Sequence, residues 1–71
     1  MKQKNRQESN LPIELAAPAR RALDAAGYYR LEQLAKVNEA KIARLHGIGP
    51  HALKQLRRAL AANGLSFADD R

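Results

Sequence analysis

Cysteine and tryptophan are absent from this chain, and its only aromatic residues are Tyr28, Tyr29 and Phe67. Without thiols neither a disulfide framework nor a zinc knuckle can brace the fold, and nothing points to an oxidising compartment, so an intracellular, cytoplasmic protein is the expectation. No apolar run approaches the length that spans a bilayer. The basic start, with Lys2, Lys4 and Arg6, lacks the apolar stretch of a secretory signal, so no membrane partner is expected. Acid is also scarce. Lys and Arg number 13 against 7 Asp and Glu, and the net charge of +6 favours an anionic partner. Between Glu39 and Asp69 no acidic residue occurs, whereas Lys41, Arg44, Lys54, Arg57 and Arg58 fall there with His46 and His51. A charge run of this kind also describes an ordinary solvated face, so charge alone does not decide a function.

What is present is alanine and leucine at helical spacing. Seventy-one residues allow one thin core, and the 45% of hydrophobic residues is largely alanine, so leucine and isoleucine must pack on small neighbours. Residues 1–10 are polar without apolar periodicity and read as a flexible basic arm that adds charge-driven affinity through Lys2, Lys4 and Arg6. The domain then runs over 11–67, and 68–71 reads as a frayed tail. Leu11, Ile13 and Leu15 alternate around Pro12 as an apolar lead-in that docks on the helices. Pro18 opens a first helix, with Ala19, Ala22, Leu23 and Ala26 at helical spacing until Gly27. Leu31 and Leu34 fit a short second helix, and Asn38 is a good N-cap for a third that turns Ile42 and Leu45 inward. Pro50 opens a fourth with the stripe Leu53, Leu56 and Leu60, closed by Gly64 in a left-handed C′ position. The expected core is Leu23, Leu34, Ile42, Leu45, Ile48, Leu53, Leu56 and Leu60. The chain also echoes itself: Leu15-Ala16-Ala17-Pro18-Ala19 with Leu23 matches Ile48-Gly49-Pro50-His51-Ala52 with Leu56 at an offset of 33 residues, as two copies of one hairpin unit would.

The informative stretch is His46-Gly47-Ile48-Gly49-Pro50-His51-Ala52-Leu53-Lys54. Glycines on both sides of Ile48 admit backbone torsions closed to other residues, while Ile48 plugs the gap between helices. A helix starting directly after Gly49 leaves the amides of Gly49, His51 and Ala52 without intrahelical acceptors at the positive end of its dipole, which suits phosphate. Lys54 lies one turn further, and Arg20, Arg21, Arg57 and Arg58 are candidate outer contacts. Glycine and proline also mark plain helix-to-helix turns, so the turn alone is weak. The apolar spacing before it, Ala52 at a close-packing position and the lack of nearby acid strengthen it.

With these residues the chain closely resembles the helix-hairpin-helix family, whose apolar-Gly-apolar-Gly hairpin binds DNA phosphates without sequence preference. More narrowly, Leu15 to Phe67, including the Asn63-Gly64-Leu65-Ser66-Phe67 ending, looks like the C-terminal domain of the bacterial RNA polymerase alpha subunit. The resemblance implies an all-α fold: a compact, SAM-like bundle of four to five short helices with paired helix-hairpin-helix units, the first degenerate. It also implies contact with the DNA minor groove from the start of the first helix, the hairpin and the start of the last helix. Pro18 and Arg21 stand where that family carries an arginine and an asparagine for DNA, and His51 stands for its lysine. Promoter-type recognition is therefore not expected. With no polymerase-assembly domain upstream, the expectation is a small stand-alone bacterial relative.

No nucleophile, base and orienting group converge in the sequence, so no enzyme, cofactor or small-molecule substrate is expected. His46 and His51 have no Asp, Glu or Cys close in sequence and read as facing solvent or phosphate rather than metal. The leading expectation is non-specific binding of duplex DNA. A protein-interaction module is the alternative, and RNA is a third possible target.

Overall fold

The computed structural model of the protein describes residues 9–68. The first eight residues of the expected arm, and residues 69–71 of the expected tail, lie outside that range. Four helices follow one another: α1 (Ala17–Ala25), α2 (Leu31–Leu34), α3 (Glu39–Ala43) and α4 (Pro50–Ala62). The described residues contain no strand, only an isolated parallel bridge between Asn38 and Ala68. The described residues are mostly helical, and their four helices start and stop where the local chemistry requires.

Starts come from proline and asparagine. Pro18 and Pro50 each sit in a first turn, where the missing N–H would have had no acceptor. Asn38 caps α3, its side-chain oxygen accepting from the Lys41 N–H at 3.0 Å. Stops come from glycine. Gly27 and Gly64 adopt φ of +89° and +72° and close α1 and α4 in the same way. After α1 the Tyr28 N–H donates to the Leu23 carbonyl at 2.8 Å, and after α4 the Leu65 N–H donates to the Leu60 carbonyl at 2.7 Å. In each case the residue after the glycine folds back onto the core.

The core holds Leu11, Leu15, Ala19, Leu23, Leu31, Leu34, Ile42, Ile48, Ala52, Leu56 and Leu60. Six of the eight expected residues are buried, while Leu45 and Leu53 are only half-buried and pack on the rim. Part of the core they leave is filled by the lead-in: Leu11 and Leu15 turn inward, and Ile13 between them is 85% exposed. The internal echo is physical, since Leu15 and Ile48, Ala19 and Ala52, and Leu23 and Leu56 are buried pair by pair. Ala16 and Gly49 are the matching N-caps, both extended, and their carbonyls accept from Arg20 and Leu53 at 3.0 Å each.

Residues on both sides of the domain boundaries are tied in. The Asn10 side-chain oxygen accepts from the Leu31 N–H at 2.7 Å, capping α2 from a distant segment. The Ala68 N–H donates to the Val37 carbonyl at 2.9 Å. Glu32, beside Asn10, has its carboxyl held below the usual range by its own backbone N–H, by Asn10 and by Arg30.

The two hairpin glycines differ, which corrects the expectation that both need special torsions. Gly47 has φ of +102°, and a Cβ there would lie 2.7 Å from the Pro18 carbonyl oxygen. Gly49 is extended at φ −113° and ψ −178°, as the residue before a proline tends to be, and a Cβ on it would meet nothing. Gly47→Ala should therefore lose about 2 kcal/mol or more through torsion and backbone crowding, whereas Gly49→Ala should stay within about 0.5 kcal/mol. Urea unfolding of both variants checks this, and equal stabilities would show that Gly47 is not crowded by α1.

Candidate nucleic-acid interface

α4 begins without a cap. Glycine at its N-cap offers no side-chain oxygen, and no acidic residue lies in the first turn. The amides of Gly49, His51 and Ala52 have no acceptor among the described residues, since the first backbone bond of this turn is made by Leu53. α1 begins the same way, with Ala16 as N-cap and no acid in its first turn. The approach of Gly47 to Pro18 lays the turn that leads into α4 against that first turn.

The α4 side chains then sort by face. Ala52, Leu56 and Leu60 are buried, so the 3.6-residue period turns His51, Lys54 and Arg58 outward, and all three are exposed. Lys54 and Arg58 make no ion pair among the described residues. Arg57 departs from that ridge: it turns to α3 and donates to the Glu39 carboxylate in an ion pair. Ile48 is buried and seats the turn, as the sequence suggests.

Arg20 and Arg21 lie on α1, whose Pro18 and Ala22 face Gly47. They line a depression with Ser9, Leu11, Asp24, Tyr28 and Tyr29. Of the expected contacts, the fold therefore gathers Gly47, Gly49, His51, Ala52, Lys54 and Arg58 on the hairpin and the outer ridge of α4. Arg57 is turned to Glu39, and Arg20 and Arg21 border the depression beside Tyr28 and Tyr29.

Two carboxylates escape a linear reading. The stretch after Glu39 is free of acid along the chain, but the fold brings Glu39 to Arg57, and Glu14 into a depression shared with His51, Gln55 and Arg58. No local signal marks either approach, because each joins separate elements. His46 lies with Leu45 against Ala22, Ala25 and Ala26. No group of three or more His, Cys, Asp or Glu that could hold a metal ion occurs among the described residues, and none of their helices is long and apolar enough to cross a membrane.

Compared with known proteins, the chain matches no family model, no curated protein and no solved structure.

The Arg57 and Glu39 side chains are 51% and 36% exposed, so their pair should contribute less than about 1 kcal/mol. Glu39→Gln should barely move the urea midpoint. A loss above about 2 kcal/mol would make the pair part of the scaffold that fixes α3 on α4.

Proposed function

We propose that this chain is a non-catalytic module of the helix-hairpin-helix type that holds duplex DNA by its phosphates without reading sequence. In this reading the lead-in and α1 form a first, degenerate unit, and α3, the Gly47–Gly49 turn and α4 form the second, within a SAM-like bundle. The observation that carries the proposal is the uncapped start of α4, with no acid in its first turn, directly after a turn that rests on the equally uncapped first turn of α1. Backbone amides at such a place are positioned donors for a phosphate oxygen, and they carry no sequence information. Lys54, Arg58 and His51 form the adjoining outward ridge, where the two cations supply long-range attraction. The similarity of Leu15 to Phe67 to the polymerase alpha C-terminal domain agrees with this arrangement.

A docking role for a protein partner is the second reading, favoured by Ile13, the one large apolar side chain that is exposed among the described residues. The two readings separate in salt. Each phosphate neutralised adds about −0.9 to the slope of log K against log salt, so a module touching two to four phosphates should give roughly −2 to −4. Lys54→Ala should weaken binding to every duplex alike and make that slope shallower by about 1. Glu14→Gln should act oppositely, strengthening binding by removing a carboxylate beside His51 and Arg58. Fluorescence titrations at several salt concentrations measure all three proteins. Duplex affinity indifferent to both substitutions would leave the hairpin as a structural turn and favour the protein-docking reading.

A further inference from the structure

The depression that gathers Arg20 and Arg21 is left unused by the hairpin reading. Its walls are one side of α1, the turn after Gly27 and the segment around Ser9 and Leu11, and it carries Tyr28 and Tyr29 beside the two arginines and Asp24. Here two tyrosines and two arginines border one depression, whereas the one that holds Arg57 and Phe67 has its arginine paired to Glu39. Tyr28 is packed against the core, and Tyr29 is half-buried.

The backbone that presents the rings is fixed in advance. The Gln33 side-chain oxygen accepts from the N–H groups of Tyr29 and Arg30 at 2.6 and 2.9 Å, while its amide donates to the Gly27 carbonyl at 3.0 Å. One side chain thus closes the whole turn. The opposite wall is held by Asn10 on the Leu31 N–H. Arg20 and Arg21 make no ion pair among the described residues, although Asp24 stands one helical turn after Arg20.

Two tyrosines on a fixed turn, beside guanidinium groups that make no ion pair among the described residues, match a ligand that joins a flat aromatic ring to an anionic group. Rings stack on any base, and guanidinium forks fit phosphate oxygens. A carboxylate such as Asp24 can accept from the exocyclic amino group of a base. Such a ring is accessible only where the base has no partner strand.

We propose that this depression takes an unpaired nucleotide of a DNA strand, with its base on Tyr28 and Tyr29 and its phosphate on Arg20 and Arg21. The site shares no lining residue with the hairpin and gives the module a means of telling a strand end or gap from continuous duplex. Its ligand is a base rather than paired backbone, so it stands or falls separately from the hairpin.

The chain has no tryptophan, and Tyr28 and Tyr29 are its only tyrosines, so intrinsic fluorescence reports this depression alone. Adding a duplex with a short unpaired overhang to the full chain should quench that emission, and a blunt duplex of the same length should not. In anisotropy titrations the overhang should be preferred about five-fold or more, the low end for stacking one base. Tyr29→Ala should abolish the preference while leaving blunt-duplex affinity and the circular dichroism spectrum as in the parent. Arg21→Ala should weaken overhang binding more than blunt binding. Equal affinity of the parent for both ends, or a preference that survives Tyr29→Ala, would overturn the proposal. A free nucleoside monophosphate that competes as well as the overhang would overturn the strand assignment in favour of a small nucleotide ligand. Loss of blunt-duplex binding in Lys54→Ala, with tyrosine quenching by the overhang intact, would bear on the hairpin alone.

Discussion

Contact between the Gly47 backbone and the first turn of α1 is the constraint on which the arrangement depends. A side chain at position 47 would collide with the Pro18 carbonyl, and the positive φ there is open to glycine at little cost. Given that contact, α3 can reverse into α4 with Ile48 directed to the core and Ala52 small enough to sit against its neighbours. The turn that leads into the uncapped start of α4 then lies against the uncapped first turn of α1. Packing and the candidate phosphate site are therefore consequences of one close approach, and a change that relieved the crowding would disturb both.

The pairwise burial of Leu15 with Ile48, Ala19 with Ala52, and Leu23 with Leu56 extends that logic across the chain. Each unit directs an apolar residue inward, leaves an extended cap residue without a side-chain oxygen, and begins a helix with proline in its first turn. A cap of serine or aspartate would stabilise either helix by about 1 kcal/mol, but it would also occupy the amides that the proposed function uses. What separates the two helices is length. α4 runs to 13 residues against 9 for α1, and its extra turn adds the buried Leu60 to the core.

Much of this is legible locally. Pro18, Gly27, Asn38, Pro50 and Gly64 mark helix ends by torsion or by a missing or added hydrogen-bonding group, and all five act so in the structure. The inward leucines follow from periodicity, except Leu53, whose phase on α4 puts it at the rim of the core, and Leu45, which lies past the end of α3. Longer contacts are not legible. Asn10 capping α2, Glu39 meeting Arg57 and Glu14 beside Arg58 each depend on how separate segments settle, and no spacing rule predicts them. The pair Gly47 and Gly49 illustrates the limit well: alike in sequence, they differ because only one lies against another backbone.

The placement of phosphate at the start of α4 is the central claim, and backbone amide shifts report on it directly. Adding a short blunt duplex to the isotopically labelled chain should move the amide resonances of Gly49, His51 and Ala52 most, with those around Lys54 and Arg58 following. Shifts confined to the surface around Ile13, or none at these three amides at saturating duplex, would contradict the account.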